Sequence, residues 1–163
     1  MNKPDSLRAH LIAAVPALQH NDDQLLVFMD NGKVRCTAAA SLSFEYNYEL
    51  QIILTKFAGH PDSVMLPLLG WVRTHQPELL ANLDKVKEGI QFEADILDNS
   101  KVDMSIRLPL TERVVVRKQD DGSYEVVHAD EPRDPLSEAF DEAVELFAQG
   151  KLIARWQPEV KTP

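Results

Sequence analysis

Residues 41 to 55, SLSFEYNYELQIILT, alternate so regularly that they fit only one kind of element. Leu42, Phe44, Tyr46, Tyr48, Leu50, Ile52 and Leu54 are apolar or aromatic, and every odd position except Ile53 is polar. Side chains on a strand alternate between faces, so this pattern gives one buried side and one wet side. At about 3.3 Å per residue the strand would run to roughly 50 Å, whereas ordinary strands peak near about 5 to 6 residues. That exceeds the width expected of a compact domain of this size. Part of the apolar face is therefore expected to leave its own subunit as an arm covered by a neighbouring chain, with Tyr46 and Tyr48 suited to the emerging part by their apolar rings and polar tips.

The segments around this strand read as helices and further strands. KPDSLRAHLIAAVPALQ places Pro4 and Asp5 at a helix start and Leu7, Leu11, Ala14 and Leu18 at helical spacing. Pro16 predicts an end or kink near 13–15. LLVFMDNGKVRCT predicts a hairpin turning at Asn31-Gly32; its DNG triplet lacks the later carboxylates of a calcium loop. After Gly59 and Pro61 a second helix is expected from about Asp62, with Val64, Met65, Leu68, Leu69, Trp71 and Val72 forming an apolar stripe broad enough to cover a sheet. Pro67 either kinks that helix or restarts it, and Pro77 closes the segment.

Ile90, Phe92, Ala94 and Ile96 alternate on the first arm of another hairpin that turns at 98–101. Its return arm is long, with Met104, Ile106, Leu108, Leu110, Val114 and Val116 apolar and Glu112 the one break. Pro109 places this arm at a sheet edge or a bulge. QDDGSYEVV turns and adds a shorter strand. At the C-terminal end, Leu136, Phe140, Val144 and Phe147 suit a helix, while VELFAQGKLIARW suits a hairpin about Gln149-Gly150; a short helix followed by a strand is the expectation. No internal repeat is present.

These elements make an α+β fold, an antiparallel or mixed sheet with long hairpin strands backed by two or three helices. With 163 residues, 44% of them hydrophobic, the chain fits one domain, 1–163. Its longest apolar runs are too short to cross a bilayer, and no signal-peptide core opens it, so a cytoplasmic protein is expected. Cys36 alone allows neither an internal disulfide nor a cysteine metal cage, and a buried thiol is expected.

The formal charge of -9 sits in one place. Residues 119–145 carry ten acids against the single base Arg133, and the remainder balances at 16 of each sign. No basic stripe suited to phosphates occurs, which argues against tight nucleic-acid binding. The acidic stretch reads either as a solubilising surface or as a docking or DNA-repelling wall.

Catalytic constellations are missing from the pattern. Ser41 and Ser43 fall on a strand's wet face and outside any nucleophile elbow. Histidines 10, 20, 60, 75 and 128 form no ligand pair of helical spacing. GHPD could supply an acid and base in His60 and Asp62, but it reads better as a turn and helix start with Asp62 on the positive end of the dipole. The six glycines make no phosphate-cradling loop. Catalytic, metal and cofactor sites are therefore expected to be none.

KPDSLRAHL, VFMDNGKV, SLSFEYNYEL, FAGHPDSVMLPLLGWVRTHQPELL, LPLTERV and VELFAQGKLIARW follow one another as in a known family. In these motifs the chain resembles the tail completion proteins, products of gene R, of P2-like contractile-tailed bacteriophages and prophages. The resemblance implies a structural protein of the virion tail, assembled in the host cytoplasm, that caps the tail tube or sheath and prepares the tail for head joining. Tail terminators are similar to one another in forming rings, commonly hexameric, of small α+β subunits. The implied partners are further copies of the chain, tube or sheath protein and head–tail joining proteins, with DNA passing through the ring, no specific nucleic-acid binding and no membrane. Phe44, Tyr46 and Tyr48 are then candidate subunit contacts, with Trp71 anchoring helix to sheet and Arg113 and Arg117 flanking the second arm. A head–tail neck adaptor is the alternative within assembly, and a small cytoplasmic ligand-binding domain or enzyme the alternative outside it.

Overall fold

The computed structural model describes residues 1–36, 41–82, 89–98, 100–132 and 142–157. The chain forms α1 (Lys3–Ala14), α2 (Pro16–Gln19), β1 (Leu25–Cys36), β2 (Phe44–Phe57), α3 (Asp62–His75), α4 (Glu78–Ala81), β3 (Gln91–Ile96), β4 (Val102–Lys118), β5 (Tyr124–His128), β6 (Val144–Ala148) and β7 (Lys151–Trp156). The fold is α+β. Its main sheet is antiparallel in the order β1-β2-β4-β3, with β5 also pairing β4.

β2 is the spine of this sheet. Residues from Phe44 to Leu54 pair β1 on one side and β4 on the other. Tyr48, Leu50, Ile52 and Leu54 point to the core, as do Met104, Ile106, Leu108 and Leu110 of β4. Leu7, Leu11 and Ala14 of α1 and Val64, Leu68, Trp71 and Val72 of α3 close on them. Each large aliphatic side chain buried in this way contributes about 1.5 to 3 kcal/mol. The β6–β7 hairpin packs through β7 against α1 and α3. Its Trp156 indole sits so close to Gly70 that a Cβ there would lie 3.2 Å from Nε1.

Pro16 ends α1, which is followed by the single turn α2. Pro67 lies within an unbroken α3, so it does not restart the helix. Pro109 occupies an edge, because β4 pairs β3 only over 102–107 and β5 only over 114–118. In an antiparallel strand, residues of one parity hydrogen-bond toward the same side. Thr111 N–H donates to Gln76 Oε1, and Arg113 C=O accepts from Ala129 N–H, both away from β2. The missing donor of Pro109 therefore falls in the gap between β3 and β5, where it breaks no ladder.

Four expectations are corrected. Residues 25–36 make no hairpin at Asn31-Gly32: they form one strand whose register against β2 slips between Asp30 and Lys33. Asn31 takes a φ of 54° there. The long β2 offers partners on both sides of the slip, so the residues suited to a turn absorb a bulge instead. Ser41 and Leu42 precede β2 and Leu42 is exposed. Cys36 is exposed at the end of β1, its thiol donating to the Ser43 carbonyl at 3.5 Å. Residues 144–156 form a hairpin, with Gln149 and Gly150 at φ 50° and 77°, the pair of positive values that a two-residue turn between twisted strands requires. Val144 and Phe147 are thus strand residues, and Leu136 and Phe140 lie outside the described residues.

Candidate partner interface

Glu112 marks where the helix-covered part of the sheet ends. It lies on the core face of β4, only 4% exposed, and an isolated buried carboxylate there would be costly. Its acceptors are filled. Tyr48 Oη donates to Oε1 at 2.6 Å, Asn2 N–H to Oε2 at 2.8 Å and Lys3 N–H to Oε1 at 3.4 Å, with His128 Nδ1 3.1 Å from Oε2. The N-terminus of α1 is thereby tied to the sheet, a negative group meeting the positive end of the helix.

The ionisation of this cluster follows from its contacts. Burial pushes the Glu112 carboxyl up, but hydrogen bonds from Tyr48, Asn2 and Lys3 together outweigh it and hold the group below its ordinary value. Burial and the Glu112 carboxylate both drive the Tyr48 phenol upward, so it stays protonated as a donor. Burial lowers Lys3 although Glu131 contacts its Nζ at 2.7 Å. Lys3 Nζ also donates to Gln76 Oε1 at 2.7 Å. A cleft of about 220 Å³ opens beside these groups, lined by residues that include Lys3, His75, Glu112 and His128. Its polar groups are engaged with one another, and this arrangement serves as a clamp.

Beyond Glu112 the sheet continues as an overhang with which no helix among the described residues is in extensive contact. The helix-side face of this overhang carries Val34 of β1, Phe44 and Tyr46 of β2, Val114 and Val116 of β4 and Val126 and Tyr124 of β5; of these Val114 is buried, and Phe44, Tyr46 and Val116 are half-buried. Val34 is 65%, Val126 59% and Tyr124 56% exposed. Phe44 packs edge-on against Tyr46, with ring centroids 4.9 Å apart. A contiguous apolar face of this kind marks an interaction surface. On the opposite face stand Arg35, Glu45, Arg113, Arg117 and Glu125, Arg117 lying 4.0 Å from Glu125.

Of the six candidate contact residues, Phe44 and Tyr46 lie half-buried on the overhang, and Arg113 and Arg117 are exposed on its other face. Tyr48 and Trp71 are buried within the chain, at Glu112 and against α1 respectively. Trp71 Nε1 donates to Ser6 Oγ at 3.0 Å, and its ring stacks on His75. The overhang thus joins Phe44 and Tyr46 with Val34, Val126 and Tyr124, which the reading of separate strands did not single out. The break in alternation at Glu112 was the visible sign of the clamp.

His60 and Asp62 serve the start of α3. Asp62 N–H donates to His60 Nδ1 at 3.2 Å and Ser63 Oγ to the His60 carbonyl at 2.6 Å. Both side chains are largely exposed. A Cβ on Gly59 would meet the Phe57 ring at 2.4 Å, so the turn needs glycine. Among the described residues no three His, Cys, Asp or Glu side chains gather to hold a metal ion, and no helix is long and apolar enough to cross a membrane.

The profile of the family described as P2 phage tail completion protein R (GpR) matches residues 1–132. The chain belongs to this family. It is also 43% identical over 156 residues to the tail completion protein R of Escherichia phage P2, an alignment covering 96% of this chain and 99% of that protein. No solved structure matches it. The match reaches through β5, so the overhang and the Glu112 clamp are features of the part of the chain that defines the family. The chain is a phage tail completion protein, and its place is the virion tail.

Proposed function

We propose that the chain acts as a tail terminator: several copies close into a ring, with six the leading expectation, that caps the tail tube or sheath and readies it for joining to the head. The observation that carries this reading is the apolar overhang, whose exposed Val34, Val126 and Tyr124 give the subunit a reason to associate. Phe44 and Tyr46 contribute to the contact directly and Arg113 and Arg117 flank it, while Tyr48 and Trp71 hold it in place from inside. Closed cyclic symmetry uses such a surface on every copy and leaves none exposed. The bare sheet face carries interspersed Glu, Asp and Arg side chains and lacks the basic stripe that would retain DNA passing the ring.

Native mass spectrometry of the purified chain across protein concentrations tests the ring. A closed oligomer is expected, and the same protein should be found at the head-proximal end of isolated tails. A monomer at every concentration, together with absence from headless tails, overturns the reading. Its appearance only at the joint with filled heads, and never on headless tails, would instead make it a neck adaptor.

A further inference from the structure

The overhang has two free strand edges. β1 bounds it on one side and β5 on the other, and among the described residues neither edge is paired by a further strand. Exposed edges with apolar side chains are templates for pairing with another chain. Along β1-β2-β4-β5 every neighbour is antiparallel, so β1 and β5 run in opposite directions. A rotation about an axis along the strands would bring the β1 of a second copy beside the β5 of the first in antiparallel sense. That is the polarity a continued sheet needs, and it is delivered by cyclic symmetry alone.

We propose that the occupant of this site is a second copy of the chain, and that the seam between copies is an antiparallel pairing of the β1 edge of one with the β5 edge of the next, in the register that sets Arg35 opposite Glu125. This rests on the ring proposed above and specifies its joint. Three observations select the register. Val34, Cys36, Val126 and Tyr124 share the helix-side face, while Arg35 and Glu125 share the other. Only pairings that match these faces keep the apolar side continuous, since a slip of one residue would turn every apolar group outward.

The second observation is charge. Lys33 and Arg35 are basic, whereas residues 119–128 carry Asp120, Asp121 and Glu125 with no lysine or arginine. The alternative edge partner, β3, would meet the near half of β1, where both sides are acidic: Glu93 and Asp95 against Asp30. In the proposed register Val34 meets Val126, two of the most exposed apolar residues of the overhang, and Cys36 meets Tyr124.

The third is the geometry of closure. Within one subunit Arg35 lies level with Ala129, through Glu45 and Arg113. Pairing it with Glu125 of the next copy staggers neighbours by four residues across four strands. One residue of stagger per strand, with about 3.3 Å rise and about 4.8 Å spacing, tilts the strands by about 35°, within the range that lets a sheet close on itself.

Cysteine cross-linking tests the seam. Within a subunit Cys36 lies level with His128, so it is three strand spacings across and four residues along from Tyr124, about 20 Å, too far for an internal disulfide. Tyr124→Cys under mild oxidation should therefore give a ladder of covalent oligomers ending in a closed species, while Val127→Cys, on the wrong face, should give none. Arg35→Glu should weaken each seam by about fivefold, and Arg35→Glu with Glu125→Arg in the same chain should restore it. If the wild type forms a ring but Tyr124→Cys yields no ladder and the charge exchange no rescue, the seam is overturned and the ring stands. If the wild type is monomeric throughout, both fall.

Discussion

Removal of the Glu112 carboxylate should cost more stability than any other single polar substitution among the described residues. Three donors converge on it, from Tyr48, Asn2 and Lys3. Glu112→Leu removes the acceptor and leaves the buried Tyr48 hydroxyl and the helix-start N–H groups without it. An orphaned buried donor costs about 1 to 3 kcal/mol; Lys3 N–H, at 3.4 Å, has the least to lose, so a total of about 3 to 4 kcal/mol follows. For a chain of this length about 1 kcal/mol corresponds to roughly 2 to 4 °C in Tm, so thermal unfolding should fall by about 10 °C. Glu112→Gln keeps the shape and one acceptor and should cost about half as much. Because folding lowers the Glu112 pKa, its contribution is fully present above the unperturbed 4.5 and is lost as pH falls below that value through the folded pKa. Urea unfolding at a series of pH values should therefore show the gap between wild type and Glu112→Gln shrinking as pH is lowered below about 4.5. A Glu112→Leu variant within about 0.5 kcal/mol of wild type, or a gap that does not change with pH, would refute the clamp.

Tyr48→Phe should cost about 1 to 2 kcal/mol, and a double-mutant cycle with Glu112→Gln should be clearly non-additive, as direct contact requires. Gly70→Ala should press on the Trp156 indole and loosen the β6–β7 hairpin, read as faster amide exchange at 144–156 with little change in the main sheet. Val34→Ser with Val126→Ser should leave Tm within about 1 °C at protein concentrations dilute enough for both proteins to be monomeric, since both side chains are largely exposed in the subunit, while native mass spectra at higher concentration shift toward monomer. Asp103→Ala should cost about 1 kcal/mol by removing the 2.6 Å bond to Lys56 N–H that steadies the bulge at φ 52°.

Alternation made β2, β3 and β4 legible from sequence, because a period of two has no other reading at that length, and the Pro109 edge followed from a missing donor. The same logic failed at Asn31-Gly32. Local residue types there permit either a turn or a bulge, and the choice belongs to β2, a partner 14 residues or more away in sequence. Residues 144–156 misled for a related reason: Val144 and Phe147 satisfy a helical stripe, but Gln149 and Gly150 provide the turn. Cysteines are usually buried, which is the basis for expecting Cys36 inside, but it lies exposed at the end of β1, in a sheet whose extent no local pattern reveals. Of the candidate contacts, Phe44 and Tyr46 could be picked from one strand; Val34, Val126 and Tyr124 become a surface only once the register across four strands is known.

The division at Glu112 also bears on why so long a sheet is tolerable. An apolar face extending past its helices invites non-specific association unless something fixes which part is core and which is contact. Here the helix start is bound to a carboxylate at that boundary, so α1 cannot slide along the sheet to cover the overhang without uncovering Glu112, Tyr48 and Lys3. Folding stability is drawn from one end of β2 and β4, and association from the other. Substitutions should sort accordingly: changes at Leu50, Ile52 or Leu108 should unfold the subunit, while changes at Val34, Phe44 or Val126 should leave it folded and unassembled. An overhang variant that lost both properties together would show that the two ends are one cooperative core, and would remove the physical basis for an arm.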